Sequence, residues 1–324
     1  MKAARNKGFA WLAKVLLPRV ALTLAASLAI ASCAQEVKIT APRYALVYGI
    51  AAYQSNALQF TVNDARSMVS TLENGGWNAH FIPPREDSAA TKAQIKSDLL
   101  SLITISSDSI VLVYYSGHGT FIDSSWGPSY YPTHSGPYIV PYDAVGPSGL
   151  DTTTVDKLIS PTELEDWLSQ VGTKNVIVIF DSCYSGGFVH SGSTIDASPP
   201  DYSLMPAYSA FSTAMSNFGN LLVANASASG SKTPIVISAA GLAELSWETN
   251  IYKIPPDTGH GVFTYYLLQA ATNGDSDGDG FVTMTEAYAY TVSAMKSGWD
   301  SNPGNVAFLP HLSGGTRDLV LFTK

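Results

Sequence analysis

The stretch VIVIFDSCYSGG, residues 176–187, is an apolar run that stops on Asp181, Ser182 and Cys183 and then breaks into a glycine turn. An apolar run without alternation describes a strand covered on both faces, as strands of a parallel sheet are. SIVLVYYSG, residues 109–117, has the same character and leads straight into His118 and Gly119. Working outward, YALVYGI (44–50) is apolar and β-prone, WNAHFIP (77–83) reads as a second strand, and TPIVISAA (233–240) and RDLVLF (317–322) are further strand candidates. Helical patterns lie between them. TVNDARSMVSTLENGG (61–76) ends on Gly75 and Gly76, ATKAQIKSDLLSLI (90–103) follows, and PTELEDWLSQV (161–171) opens with Pro161 and acidic residues suited to a helix amino terminus. The order βαβαβ…αβ predicts an α/β fold, a mostly parallel sheet with helices on both faces.

The chain has 324 residues, 46% hydrophobic and 14% charged, enough to bury a sizeable core. All 26 carboxylates lie beyond residue 32, whereas five of the 18 basic residues (Lys2, Arg5, Lys7, Lys14 and Arg19) precede it. The body is therefore strongly acidic and excludes a phosphate backbone as partner, so no nucleic-acid binding is expected. Residues 1–32 read as an export signal, since a basic stretch ending at Arg19 is followed by VALTLAASLAIAS, too short to span a bilayer. LAIASC resembles a bacterial lipobox, which implies cleavage before Cys33 and its lipidation; ordinary cleavage nearby is the alternative. The expected location is the cell envelope of a bacterium, lipid-anchored at the outer membrane or surface, or periplasmic. With Cys33 lipidated, Cys183 is the remaining thiol and no intramolecular disulfide can form. Residues 33–42 form a linker and 43–324 one domain, with a Ser/Ala-rich insertion around 190–232.

Ligand sites in open parallel sheets form at the carboxyl ends of strands. Two strands end there in reactive groups, one in His118 and the other in Cys183. If the strands are neighbours, the imidazole can take the thiol proton, and the thiolate can attack a carbonyl. Taken singly, each residue is more often structural; both at strand ends beside glycines, they point to acyl transfer. His80, His134, His190 and His311 lack that setting. His260, in TGHGVF, precedes a helix-like segment rather than ending a strand and is set aside.

At these residues the sequence resembles the caspase and metacaspase group of cysteine peptidases, in particular its bacterial members. The motifs that carry the resemblance are YGIAAYQ (48–54), VNDARSM (62–68), YYSGHGT (114–120), FDSCYSGG (180–187) and GHGVFTYYLL (259–268). The resemblance implies a caspase-like three-layer sandwich with a central, mainly parallel six-stranded sheet. It implies peptide-bond hydrolysis by His118 and Cys183, with the backbone N–H groups of Gly119 and Cys183 as oxyanion donors. It further implies an acidic specificity pocket at Asp64 and Asp181, hence cleavage after Arg or Lys. Two carboxylates beside a nucleophile favour a cationic side chain on physical grounds as well. The chain departs from the metacaspase pattern at Tyr184, where His is common, and it lacks the animal-caspase QAC setting.

DSDGDGFVTMTE (275–286) fits the calcium-loop template: Asp275, Asp277 and Asp279 at positions one, three and five, Gly280 at six, the Phe281 carbonyl at seven and Glu286 at twelve. Bound Ca²⁺, structural or regulatory, is expected there; a solvated acidic turn is the alternative. No organic cofactor is expected. A basic-specific enzyme cutting its own insertion would use Lys232, with Lys157 as an upstream site, since no Lys or Arg lies between Cys183 and Lys232. Two classes of function follow: a cysteine endopeptidase acting on polypeptides, or a catalytically silent, calcium-binding lipoprotein serving as a binding module.

Overall fold

Strand β3 (Ile110–Ile122) is the centre of the fold, and its alternate residues build two different cores. Val111, Val113 and Tyr115 face one side, Leu112 and Tyr114 the other. Strand β5 (Asn175–Tyr184) repeats the pattern, with Val176, Val178 and Phe180 opposed to Ile177 and Ile179. Strands apolar on both faces need a helical layer on each, and the computed structural model provides both. It describes residues 41–77, 83–122, 133–150, 153–184, 222–223, 233–240, 246–254, 258–305, 307–315 and 317–324, with the backbone alone at 121, 183, 184, 251–254 and 258. These residues belong to one compact unit, Ala41–Lys324.

Helix α1 (Thr61–Asn74) packs Ala65, Met68 and Leu72 on the second core and stops where the Gly75 amide bonds back to Thr71. Helices α2 (Lys92–Leu100) and α3 (Pro161–Gln170) cover the first core through Ile95, Leu99, Leu164 and Trp167. Each begins at a side-chain cap, Thr91 for α2 and a Ser160–Glu163 capping box followed by Pro161 for α3. Helices α4 (Val262–Asn273) and α5 (Met284–Gly298) join α1 on the second face. The result is a three-layer sandwich.

Six strands lie side by side in the sheet: β10 (His311–Gly314), β6 (Ile235–Ser238), β5, β3, β1 (Arg43–Gly49) and β2 (Arg85–Glu86), with β4 (Gly136–Ile139) paired to the end of β3 as a seventh. Pairing is parallel from β6 through β2 and antiparallel at β10 and β4. Two expectations shift. Of the predicted strand 77–83, residues 78–82 lie outside the described ones, and the pairing with β1 is made by Arg85 and Glu86. The strand expected at 317–322 is real, as β11 (Val320–Thr323), but it pairs with β9 (Phe281–Thr283) in a separate two-stranded sheet. The place at the edge of the main sheet belongs to β10, whose period is hidden by the nearby Gly314 and Gly315. Strands β7 (Glu248–Ile254) and β8 (Thr258–Gly261) form a second small sheet. No described helix is long and apolar enough to cross a membrane.

Candidate active site

The parallel register of β3 and β5 runs from Ile110 opposite Asn175 to Gly119 opposite Tyr184, and within it the Cα atoms of His118 and Cys183 are partners. Adjacent strands in a sheet lie about 4.8 Å apart. The two residues that the sequence singles out therefore sit side by side at the carboxyl end of the sheet. Gly119 follows His118 in β3, between Ile139 of β4 and Tyr184 of β5.

Loop residues fix the imidazole. His118 is fully buried, its Nε2 lies 2.6 Å from the Asn56 carbonyl, and its ring stacks at a tilt on Tyr53, with centroids 4.6 Å apart. A carbonyl only accepts, so Nε2 carries the proton and Nδ1 is the basic nitrogen. The Tyr53 hydroxyl accepts from the His118 amide at 3.1 Å and donates to the Val140 carbonyl at 2.8 Å. Tyr115 donates to the His118 carbonyl at 2.8 Å. Gly117 is glycine because a Cβ would press on both tyrosine hydroxyls at 2.8 Å. Burial pulls His118 down to about 4, against the opposing pull of the Asn56 carbonyl. At neutral pH the ring is an uncharged base.

Asp64 and Asp181 come together beside this pair. Asp181 is the register partner of Ser116, and the Ser116 hydroxyl donates to Asp64 Oδ2 at 3.0 Å. The amino terminus of α4 faces both carboxylates: the Gly261 amide donates to Asp64 Oδ1 at 3.0 Å and the Thr264 amide to Asp181 Oδ2 at 3.2 Å. The Thr264 hydroxyl, itself 2.5 Å from Tyr114 Oη, also donates to Asp181, and Ser246 donates to its other oxygen at 2.7 Å. Asp64, in the first turn of α1, and Asp181, at the end of β5, thus both accept from the junction of β8 with α4. A third carboxylate joins them. Glu248 accepts from the amides of Gln59 and Phe60 at 3.0 Å each, capping α1, whose own N-cap residue supplies no side-chain bond.

Burial, and then the facing Asp181, push Asp64 well above the usual carboxylate range. Burial raises Asp181 too, against bonds from Thr264 and Ser246, and raises Glu248 to about 7. No lysine or arginine among the described residues pairs with any of the three. Their companion is His260. It lies in β8 and places Nδ1 2.9 Å from Asp64 Oδ1, with neither side chain exposed. His260 does precede a helix, α4, and it is His118 that partners Cys183; what the sequence did not reveal is that His260 lies in a short strand and meets Asp64. Asn56, Tyr53, Ser116, Ser246, Thr264 and Glu248 had no periodic signal to reveal them.

At the other end of α4, oxygen atoms of Asp275, Asp277 and Glu286 lie within 4.8 Å of one another. Asp279 is turned to its own loop, accepting from the Phe281 amide at 2.8 Å. Gly278 and Gly280 take the positive φ values, 78° and 85°, that the turn requires. An all-oxygen set of this kind fits a hard cation such as Ca²⁺. Lys157 is exposed in a short turn after Val155, while Cys33 and Lys232 lie outside the described residues.

A search of curated protein sequences finds no match. Among solved structures, the chain is similar to a protein from Geobacter sulfurreducens, with a TM-score of 0.50 and 19% identity over 86% of this chain and 95% of that one. Pro-sf-caspase-1 aligns over 87% of this chain and 95% of its own at 12% identity and a TM-score of 0.47. The family model described as the caspase domain matches residues 42–305, the span that carries β1, α1, both strands of the His118–Cys183 register and α4, and the chain belongs to that cysteine-peptidase family.

Proposed function

We propose that the protein is an exported cysteine endopeptidase that hydrolyses peptide bonds after Arg or Lys. The supporting observation is a cluster of three carboxylates, Asp64, Asp181 and Glu248, with no lysine or arginine partner among the described residues, next to the strands that bear His118 and Cys183. Buried carboxylates crowded together favour a proton or a cation. A substrate guanidinium or ammonium supplies one with hydrogen bonds attached. In this reading His118 Nδ1 takes the Cys183 thiol proton, and the thiolate attacks the scissile carbonyl. The amides of Gly119 and Cys183 hold the oxyanion, and His118 returns the proton to the leaving amine. Water then hydrolyses the thioester.

Cys33 would hold the enzyme at the cell envelope through a lipid, and Asp275, Asp277, Asp279, Glu286 and the Phe281 carbonyl would ligate Ca²⁺. Self-cleavage would fall at Lys232 or Lys157. One observation favours the second reading, a silent binding lipoprotein: His118, Asp64 and Asp181 are all buried. A fluorogenic peptide library, read with and without calcium on wild type and Cys183→Ala, separates the two. Turnover of Arg and Lys peptides by wild type alone supports the peptidase; no turnover of any peptide by wild type rejects it. Mass spectrometry of the amino-terminal peptide tests lipidation at Cys33.

A further inference from the structure

We propose that His260 is the latch of the acidic pocket: its Nδ1–H holds the edge of Asp64 that a substrate's cationic side chain would engage, so substrate admission requires the imidazole to withdraw. This rests on the cation-binding reading of the pocket and names what keeps it shut.

Three observations carry it. First, Asp64 Oδ1 already carries two donors, His260 Nδ1 at 2.9 Å and the Gly261 amide at 3.0 Å, and Oδ2 takes Ser116 at 3.0 Å with the Gly261 amide also 3.3 Å away. A guanidinium that engages both oxygens must displace a donor from Oδ1. Gly261, the last residue of β8, is fixed by its junction with α4, and Ser116 by the central strand. His260 is the donor carried on a side chain, from a four-residue strand outside the main sheet that pairs, among the described residues, with β7 and has an irregular register between Thr249 and Ile254.

Second, the seat of His260 is imperfect. Its side chain is entirely buried, yet Nε2 has no hydrogen-bond partner among the described residues. An unmet polar atom in the interior costs about 1–3 kcal/mol, which is recovered when the ring reaches water. The imidazole itself is thus held by one bond and opposed by one unmet nitrogen. That is the balance a displaceable group needs.

Third, the backbone is shaped for the contact. Gly259 lies so close to Phe60 and the Thr249 carbonyl that a Cβ would sit 2.6 Å from each, and a Cβ on Gly261 would run into the Asp181 carboxylate. Two glycines let β8 lie against the start of α1 and the end of β5, with the imidazole between them reaching Asp64. Asn63 adds one bond, to the Gly259 carbonyl at 3.2 Å.

The consequence is selectivity by competition. A guanidinium carries a full charge and five donors, where a neutral imidazole offers a single donor; an uncharged side chain of the same shape has too little to displace it. The test uses the full chain carrying Cys183→Ala, a tetrapeptide ending in arginine amide, and its citrulline counterpart as neutral isostere. His260→Ala is expected to bind the arginine peptide about tenfold more tightly, with citrulline binding unchanged and the melting temperature lowered. His260→Asn, whose side-chain N–H can keep the bond to Asp64, should retain the affinity of the parent. In the parent, ¹⁵N resonances of the His260 ring should shift as the arginine peptide saturates, a readout that needs no further variant to fold. Unmoved resonances, or a His260→Ala affinity equal to or below the parent's, overturn the latch. If no form distinguishes arginine from citrulline, the cation-binding reading falls and the latch with it; discrimination without a gain in His260→Ala removes the latch alone.

Discussion

The Nε2 of His118 sits 2.6 Å from the backbone carbonyl of Asn56, a residue held at φ 55°. The partner that orients the base is thus a main-chain atom whose direction depends on a left-handed turn. Asn tolerates that conformation and glycine adopts it freely, whereas a β-branched residue there is strained by about 1–2 kcal/mol. In the peptidase reading, Asn56→Gly is therefore expected to retain near-parental turnover. Asn56→Val should lose about tenfold in kcat with little change in KM, because the carbonyl swings away from the ring. Equal kcat in both variants would show that the carbonyl does not position His118.

Burial of the same imidazole sets a pH signature. His118 is drawn down to about 4 while an unfolded chain titrates near 6.5, so between those values the unfolded state binds the extra proton. Its contribution to stability rises with pH and is lost as pH falls below about 6.5, with a slope approaching 1.4 kcal/mol per pH unit. Asp64 and Asp181, raised in the folded state, act in the opposite sense, holding protons that the unfolded chain releases above about 4. Comparing urea unfolding of wild type with His118→Gln isolates the first effect. Acidification from pH 7 to 4.5 should shift the difference by about 2–3 kcal/mol in favour of the Gln variant. A pH-independent difference would mean that the ring is not buried as a neutral base.

What the sequence revealed and what it hid divide along a physical line. The runs 109–117 and 176–187 announce β3 and β5 because a strand covered on both faces has little freedom in composition. Their shared end then brings His118 and Cys183 together by register alone. Pro161 and the acidic residues after it mark a helix start because capping is local. The shell of the site is not local. Glu248 caps α1 across 188 positions, Ser246 reaches Asp181 across 65, and His260 reaches Asp64 across 196. No spacing rule within a window could join them. The strand β11 was legible as a strand and illegible as a partner for β9, since an apolar period does not say which edge it will meet.

The donors around Asp181 make a third prediction. Thr264→Val removes a hydroxyl of similar shape, leaving the buried carboxylate one donor short and Tyr114 without its acceptor. A loss of about 1–3 kcal/mol is expected in urea or thermal unfolding. Thr264→Ser, which keeps the hydroxyl, should recover most of it. In the peptidase reading, KM for Arg peptides should rise in Thr264→Val while kcat holds, because the geometry of the pocket changes and that of the dyad does not. A stability as poor in the Ser variant as in the Val variant would assign the effect to the methyl group instead.

The acidic loop 275–286 supports a last prediction, because Glu286 both caps α5 and belongs to the oxygen set proposed to ligate Ca²⁺, and different conditions can separate the two. Its Oε2 accepts from the Thr283 amide at 3.0 Å and hydroxyl at 3.1 Å, capping α5, and its Oε1 accepts from Ser276 at 3.0 Å and 2.8 Å. Burial pushes the carboxyl up, but these four bonds outweigh it and hold the group at about 2. A carboxylate depressed in the folded state contributes stability above about 4.5 and loses it as pH falls toward 2. Without metal, Glu286→Gln should therefore lower the melting temperature at pH 7 and have little effect near pH 2. Calcium at ten times its dissociation constant should add about 1.4 kcal/mol to wild type, a rise of about 3 °C in the melting temperature, and nothing to Glu286→Gln or Asp275→Asn. Because α4 joins this loop to Gly261 and Thr264, amide exchange along α4 should slow with calcium in wild type alone. A wild-type melting temperature indifferent to millimolar calcium would leave Glu286 as a helix cap and the loop as a solvated turn.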